Sequence, residues 1–385
     1  MERNPEFDDI RPFYDEEVAP AIEQLLKDSQ FQKIINYFYT GKSRTQIEQL
    51  MRTFTKQRDF QNLLVKKIVR NIFNRTSEGV ICKGWENISR GTAYTYISNH
   101  RDIILDASIL SVLLSDNGFE TVEVAIGDNL LLIDWIKNMA RLNKCFIVKR
   151  SVSVRQLLEV SKHLSRYIHY TILDKNQSIW IAQREGRTKD SNDRTQESLL
   201  KMLAMGSDQP FLKSLAELNL LPLAFSYEYD PCDYLKAKEF QQKRDNPDFK
   251  KTREDDLLNM KTGMLGYKGR IHLQIGRSIR SSLLDLDESL DRNQSAAQAA
   301  SIIDKEIFRN YQFYPINYIA YDRLWGKDFF RDHYTSDDVK LVDEYFRRQL
   351  DKIDLPDKDI PFLTGKLEVM YANPVKNNYE SGTGK

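Results

Sequence analysis

The sequence predicts an α/β fold: a largely parallel central sheet flanked by helices, with an N-terminal helical region and a mixed C-terminal extension. The main observation is that short apolar, β-branched segments alternate with stretches of helical periodicity between residues 79 and 285. Helical spacing without such segments precedes and follows this part of the chain. Polar clusters also follow several of the predicted strands, and the carboxyl ends of strands are where α/β folds place their sites.

The chain of 385 residues is long enough for one main core with helical additions. The polar tail sequence NPVKNNYESGTGK is typical of a disordered segment. The predicted division is an N-terminal helical region at 1–78, an α/β core at 79–285 with a charged insertion near 231–265, a helical C-terminal extension at 286–372, and a disordered tail at 373–385.

Composition excludes several classes of protein. A net charge of +1 gives no overall field for nucleic acid, so any anion site must be local. No apolar run reaches the roughly 18 residues of a membrane-spanning helix, and the acidic N-terminus is not a signal peptide. The three cysteines are far apart and indicate buried thiols in a reducing compartment, and no cluster of metal ligands is present. We expect a cytoplasmic protein that at most rests on the inner face of a membrane.

A basic amphipathic helix is predicted over residues 52–75. Seven lysines and arginines surround an apolar stripe there, against the single acid Asp59. Such a helix can lie on an anionic membrane surface. A core helix with a solvated basic face is the alternative, and the sequence leaves both open.

The α/β core contains strands and helices in alternation. Strands are predicted at 80–88, 92–98, 120–127, 144–150, 178–183, 221–229 and 269–279, and helices around 130–140 and at 154–172, 198–205 and 211–218. In the C-terminal extension, helices are predicted at 289–310 and 336–353.

The turn after the second predicted strand carries a histidine and two carboxylates. His100 is followed by Asp102 and Asp106, and helical spacing begins at Ile103. Histidine exchanges a proton near neutral pH, and a carboxylate on one ring nitrogen leaves the other nitrogen basic. No nucleophilic side chain accompanies them, so the attacking hydroxyl would come from a substrate. The alternative is a helix cap or a structural polar contact.

Two further polar clusters follow predicted strands. In the first, Glu185, Gly186 and Arg187 combine a sharp turn with a planar guanidinium that suits phosphate, and the glutamate can orient the arginine or bind a hydroxyl. In the second, Lys149 and Arg150 are additional candidate phosphate contacts. A surface turn and a basic strand end are the respective alternatives. If these strands are parallel, their ends form one shared site.

Four sequence blocks in fixed order resemble the glycerolipid acyltransferases, the family acting on glycerol-3-phosphate and lysophosphatidic acid. They are SNHRDIILD, CFIVKR, IWIAQREGRTKD and LPLAFSYEY, between about Gly79 and Tyr229. The family places an aspartate five residues after the histidine, where this chain has Leu105, so the partner is Asp106 or Asp102. We favour Asp106, because it begins the helical stripe. Arg187 also follows Gly186 without the family's usual intervening residue.

The resemblance implies acyl transfer from acyl-CoA or acyl carrier protein to a hydroxyl of glycerol-3-phosphate or 1-acylglycerol-3-phosphate, in phospholipid synthesis. His100, held by Asp106, would be the general base, and Arg187 with its neighbours would seat the phosphate. Backbone donors near the helix start would stabilise the oxyanion. The resemblance implies no metal and no cofactor beyond the thioester co-substrate.

Two alternatives stay open from the sequence. One is a catalytically inactive protein that binds a membrane or an acyl carrier, motivated by the shifted aspartate. The other is an acyltransferase for a non-phosphate lipid acceptor.

Overall fold

A seven-stranded sheet forms the centre of the chain in a computed structural model. The structure describes residues 3–39, 41–131, 133–150, 152–326 and 328–383. The strands are β1 (Val80–Lys83), β2 (Thr95–Ser98), β3 (Glu123–Gly127), β4 (Cys145–Val148), β5 (Ile179–Ala182), β6 (Leu220–Tyr227) and β7 (Ile271–Ile275). Their order across the sheet is β1-β7-β6-β2-β5-β3-β4.

All neighbouring strands are parallel except β6 and β7. The predicted α/β fold with a largely parallel sheet is therefore confirmed. The register places Ser98, the last residue of β2, opposite Ala182, the last residue of β5. The ends of β3 and β4 also lie opposite each other. The turns that follow these four strands consequently share one edge of the sheet.

Helices cover both faces of the sheet and build the terminal regions. They are α1 (Asp15–Lys27), α2 (Ser29–Phe38), α3 (Arg44–Arg52), α4 (Gln57–Asp59), α5 (Lys66–Thr76), α6 (Leu105–Asp116), α7 (Asp134–Leu142), α8 (Val154–His169), α9 (Glu197–Leu203), α10 (Phe211–Glu217), α11 (Asp233–Asp245), α12 (Arg253–Leu265), α13 (Arg280–Leu284), α14 (Arg292–Arg309), α15 (Pro315–Tyr321), α16 (Ser336–Asp351) and α17 (Ile360–Glu380). Segments of π-helix follow α4, α8 and α15 at Phe60–Val65, Tyr170–Asp174 and Asp322–Gly326.

Two apolar layers sandwich the sheet. Side chains of α8, α9, α10 and α14 pack on one face, and side chains of α5 and α6 pack on the other. All eight residues of β6 are buried, as expected for a central strand covered on both sides. The layers explain why the core strands read as continuous apolar runs in the sequence.

The basic helix predicted over 52–75 is a core helix in the structure. Its apolar side chains, including Phe60, Leu64 and Ile72, are buried. Several of its basic side chains form ion pairs within the protein, among them Lys66 and Arg70, which both contact Asp116. Of the two interpretations left open by the sequence, the buried helix describes this segment. Within the described residues, no helix combines the length and apolar character needed to cross a bilayer.

The predicted disorder of residues 373–385 is wrong up to Glu380. These residues continue α17, and Asn373, Pro374 and Val375 are buried in it. The polar side chains of this stretch form hydrogen bonds: Asn378 Nδ2 donates to the carbonyl of Phe308 at 2.8 Å. Because several of these amides form hydrogen bonds inside the protein, their polarity does not indicate disorder. Residues 384–385 lie outside the described residues.

The C-terminal extension is helical over its described residues, without the strands that a mixed extension would contain. It packs with α11 around its own apolar cluster. The charged insertion near 231–265 forms α11 and α12.

Candidate active site

Six of the predicted site residues line one cavity of about 1250 Å³ at the shared edge of the sheet. They are His100, Lys149, Arg150, Glu185, Gly186 and Arg187. The parallel register brings them together although they are up to 87 positions apart in the chain. The histidine and the arginine on which the sequence interpretation depends therefore face the same space.

His100 forms a hydrogen-bonded pair with Asp106. The distance between His100 Nδ1 and Asp106 Oδ2 is 2.8 Å. The imidazole also packs edge-on against Trp180, with ring centroids 5.3 Å apart. These two contacts fix the ring and leave Nε2 as the nitrogen able to exchange a proton at the cavity.

Asp106 is fully buried and has several donors besides the histidine. Its Oδ2 accepts hydrogen bonds from the backbone N–H groups of Arg101 (2.6 Å) and Asp102 (3.0 Å). Its Oδ1 accepts one from the Tyr227 hydroxyl at 2.9 Å. Buried carboxylates need such partners, and these hold the group in one orientation.

Asp102 has a structural position and does not contact His100 in the way the sequence left open. Its Oδ1 accepts from the N–H groups of Ile104 (2.9 Å) and Leu105 (2.8 Å), which caps the start of α6. Burial raises the pKa of this carboxyl, and the nearby Asp106 raises it further. Four N–H groups near this helix start bind these two carboxylates and are not available as oxyanion donors.

Asn99, the residue before His100, uses both ends of its side-chain amide to bind the backbone of β6. Its Nδ2 donates to the Phe225 carbonyl at 2.9 Å, and its Oδ1 accepts from the Phe225 N–H at 2.8 Å. The side chain thereby extends the ladder between β2 and β6 by one step. The turn that carries His100 is anchored to the sheet as a result.

Arg187 lines the cavity and has one buried donor without a partner among the described residues. Its Nη2 donates to Asn259 Oδ1 at 3.1 Å, whereas Nη1 is buried and has no hydrogen-bond partner among the described residues. Gly186 precedes it with φ of +67°, a left-handed conformation that glycine adopts without strain. A buried N–H without a partner is costly unless a ligand binds it.

The remaining predicted contacts are closer to the surface. The Glu185 carboxylate lies 3.6 Å from Arg150 Nη1. Lys149 Nζ lies 2.5 Å from Asp9 Oδ2, so part of its charge is already balanced. Of the basic residues predicted for phosphate binding, Arg187 is the one whose geometry leaves a buried donor free.

A buried ion pair that the sequence interpretation missed connects the two turns of the site. Arg101, next to His100, contacts Asp193 through Nη1 (3.2 Å) and Nη2 (2.6 Å). Thr188, next to Arg187, donates its hydroxyl to the same carboxylate at 2.7 Å. The only sequence signal was that both residues are immediate neighbours of proposed site residues.

Helix α12 of the charged insertion covers the site, which the sequence also did not indicate. Asn259 contacts Arg187, and Gly263 packs against Asp102 so closely that an added Cβ would lie 2.1 Å from Asp102 Oδ2. A glycine inside a helix was the available signal for a close approach.

Most of the cavity beyond these polar groups is apolar. The lining there includes Ile34, Ile35 and Phe38 of α2, Leu64, Ile68 and Ile72 around α5, Ile103 and Ile104 before α6, Ile136 and Met139 of α7, and Leu157, Val160 and Leu164 of α8. The N-terminal helical region thus forms one wall of the cavity.

Comparisons with known proteins assign the domain. Residues 79–220 match the model of the family described as Acyltransferase. No curated protein gives a significant match to the chain. Among solved structures, the chain is similar to the 1-acyl-sn-glycerophosphate (LPA) acyltransferase PlsC from Thermotoga maritima, with 12% identity, a TM-score of 0.35, and coverage of 74% of this chain and 91% of that chain.

The first three sequence blocks lie within the matched residues, and the fourth begins directly after them. Residues 79–220 therefore form an acyltransferase domain, in the part of the chain where the sequence blocks lie.

Proposed function

We propose that this enzyme transfers a fatty acyl group from a thioester donor, acyl-CoA or acyl carrier protein, to a hydroxyl of glycerol-3-phosphate or 1-acylglycerol-3-phosphate. The observation that carries the proposal is that His100, paired with Asp106, and Arg187, which has an unpartnered buried donor, line one cavity. A base and a phosphate contact in one cleft are what a phosphorylated hydroxyl acceptor requires.

His100 acts as general base in this mechanism. Its Nε2 takes the proton of the acceptor hydroxyl while that oxygen attacks the thioester carbonyl. The tetrahedral intermediate then collapses, the C–S bond breaks, and the thiolate takes the proton back from His100. Asp106 keeps His100 in the tautomer that leaves Nε2 basic, and it stabilises the transient imidazolium. General-base catalysis contributes roughly 10²–10⁴-fold to the rate.

The shifted aspartate does not argue for an inactive site. Asp106 lies six residues after His100 in sequence, yet the hydrogen bond between them is 2.8 Å long. This hydrogen bond supports an active site over the alternative of a degenerate binding protein.

Arg187 binds the acceptor phosphate through Nη1. Its position under α12 fixes the distance between phosphate and hydroxyl, because Asn259 holds the other end of the guanidinium. Binding of this kind orients the hydroxyl toward the base, which contributes to the rate through positioning.

The apolar part of the cavity accepts hydrocarbon chains. Its volume of about 1250 Å³ exceeds the roughly 300–1,000 Å³ of ordinary small-molecule pockets, so it suits a long acyl chain together with an acceptor.

The membrane contact lies beside the cavity mouth. Leu157 and Leu158 of α8 are half-exposed, as are Leu257 and Leu258 of α12, and one leucine of each pair also lines the cavity. Exposed apolar side chains that continue an apolar cavity suit a lipid surface. This surface replaces the 52–75 helix in the proposal, since the apolar side of that helix is buried.

A radiolabelled acyl-transfer assay tests the proposal. Wild-type enzyme and His100→Ala are each supplied with acyl-CoA or acyl carrier protein and with glycerol-3-phosphate, 1-acylglycerol-3-phosphate or a lysolipid without phosphate. We expect transfer to the phosphorylated acceptors and its loss in His100→Ala. Full activity of His100→Ala would exclude this mechanism.

In the same assay, Arg187→Ala distinguishes a phosphorylated acceptor from an acceptor without phosphate. A phosphorylated acceptor should show a strongly raised KM with this variant. An unchanged KM, or wild-type preference for the lysolipid without phosphate, would support the alternative of a non-phosphate acceptor.

A further inference from the structure

Three lysines converge on one buried carboxylate beside the catalytic cavity. The carboxylate is Glu239 of α11, outside the matched family residues. It contacts Lys189 from the turn after Arg187, Lys243 of α11 at 3.0 Å, and Lys251 from the loop before α12 at 3.0 Å. We call these three side chains the lysine cluster.

The lysine cluster carries more positive charge than its carboxylate balances. Glu239 is ionised, because hydrogen bonds from the lysines hold its pKa below the ordinary value although burial opposes this. One negative charge against three positive ones leaves an excess of about two. Repulsion between neighbouring ammonium groups at contact distance is unfavourable unless an anion joins them.

A ligand in the cavity can reach this charge. Lys189 and Lys251 both line the cavity. The three side chains are 29–49% exposed, so they are neither buried nor fully solvated. By contrast, the nearby Lys236 is buried against Asp230 and is already balanced.

We propose that the lysine cluster binds the phosphate groups of a nucleotide-bearing thioester donor. The inference rests on the proposed acyl transfer and names the donor class. Arg187 has one free buried donor, which suits the single phosphate of the acceptor. An excess of two positive charges instead suits a ligand with several phosphates. CoA is a thioester carrier that has several phosphates.

Most of the lysine cluster comes from the insertion that contains α11 and α12. It supplies Glu239, Lys243 and Lys251, whereas the turn of the family domain supplies only Lys189. The insertion thus contributes to the donor side through the lysine cluster and to the acceptor side through Asn259.

Binding of CoA to the full-length enzyme by calorimetry tests the inference. Pantetheine, which lacks phosphates, and adenosine 3′,5′-bisphosphate, which lacks the pantetheine arm, are the comparison ligands. The variant is Lys243→Gln with Lys251→Gln, in which Lys189 still balances the buried Glu239. Lys340→Gln on α16, a solvent-exposed lysine paired with Asp337, is the matched control.

We expect the double variant to bind CoA and the bisphosphate at least about tenfold more weakly, as charge-assisted contacts predict. Pantetheine binding and the KM of the acceptor should stay within twofold, and the KM of acyl-CoA should rise with the Kd. The Lys340→Gln control should match the wild type throughout.

Equal binding of CoA and pantetheine by the wild type would overturn the inference. So would wild-type CoA affinity in the double variant, a raised KM for the acceptor alone, or activity confined to acyl carrier protein. Because binding is measured without turnover, a missing acyl transfer with the expected CoA response would count against the proposed function and not against the lysine cluster.

Discussion

Arg101 and Asp193 form a two-pronged ion pair that joins the turn of His100, the proposed base, to the turn of Arg187, the proposed phosphate contact. The pair is buried, with distances of 3.2 and 2.6 Å between its two nitrogens and two oxygens. Thr188 and the hydroxyl of Tyr311 (2.6 Å) complete the coordination of the carboxylate. Asp193 therefore holds the separation between His100 and Arg187.

Asp193→Asn should impair both the rate and the binding of the acceptor. The amide cannot balance the buried guanidinium of Arg101, and removing one partner of a buried pair costs about 3–5 kcal/mol. We expect a lower unfolding midpoint in denaturant, a lower kcat and a raised acceptor KM. Kinetics on the folded fraction measure the last two.

Glu123→Gln is the control for this experiment. Glu123 lies at the amino end of β3 and pairs with Lys175, at the opposite end of the strands from the turns that carry His100 and Arg187. It should lose stability without a change in the acceptor KM. If Asp193→Asn also leaves the KM unchanged, the ion pair is structural and does not set the site geometry.

Tyr227→Phe tests whether the hydroxyl on Asp106 supports catalysis. The substitution removes one donor from a buried carboxylate, which costs about 1–3 kcal/mol and loosens the orientation of His100. We expect kcat to fall about tenfold with KM unchanged. In combination with Asp106→Asn, the effects should be far from additive, because both act through the same histidine. Additive losses would show that Tyr227 acts elsewhere.

The parts of the site predictable from sequence are those carried by local pattern. His100 and Asp106 fall on one turn, and Arg187 follows a clear apolar strand, so strand-end reasoning brought them together. Asp193, Tyr227 and Asn259 were not predictable, because their partners are 92, 121 and 72 positions away. Long-range hydrogen bonds leave no periodic signal in a single sequence.

In the fold too, local patterns were predictable from the sequence and long-range contacts were not. Alternating strands and helices predicted the parallel sheet, whereas the C-terminal residues from Asn373 were assigned by polarity alone. Several of their amides bind distant partners, such as Asn373, whose Nδ2 donates to the carbonyl of Asp190 at 2.7 Å. Polarity reports exposure only when the partners of the polar groups are water.

Gly263→Ala should displace α12 from the active site. An added Cβ would lie 2.1 Å from Asp102 Oδ2, so either the helix or the capping carboxylate must move. We expect a loss of stability and of acyl-transfer activity together, measured by thermal unfolding and initial rates. Overpacking of this kind costs about 1–3 kcal/mol.

Gly365→Ala provides the comparison, since its added Cβ meets no atom within 4 Å in the helix α17. This control should be neutral or stabilising by up to about 1 kcal/mol. Equal behaviour of the two variants would mean that α12 does not press on the Asp102 turn.

Replacing Leu157 and Leu158 by serine should weaken binding to vesicles. These side chains are half-exposed, Leu157 also lines the cavity, and each buried leucine contributes about 1.5–3 kcal/mol to insertion. We expect co-sedimentation with phospholipid vesicles to fall, while turnover of a short-chain, soluble acyl donor is retained. Leu341→Ser is the control, because Leu341 is equally exposed on α16, away from the cavity lining. Equal sedimentation of both variants would remove α8 from the membrane contact.

The contribution of Asp304 to the stability of the protein should fall as the pH rises from about 4 to about 6. Burial raises the pKa of this carboxyl to about 6, although hydrogen bonds from Thr195 oppose the shift. A raised folded-state pKa means that the unfolded chain ionises first, so ionisation favours unfolding across this interval and the loss is complete above it. A shift of about two units corresponds to roughly 3 kcal/mol.

Asp304→Asn isolates this contribution. The amide oxygen can still accept the bonds that Thr195 donates to Oδ1 at 2.8 Å (N–H) and 2.6 Å (hydroxyl), and it cannot ionise. We expect the variant to be more stable than the wild type at pH 8 and to lose the decline between pH 4 and 6, as measured by urea unfolding at several pH values. An identical pH profile in both proteins would show that Asp304 titrates at its ordinary pKa and that the C-terminal helix α14 is held to the site loop without an ionisation cost.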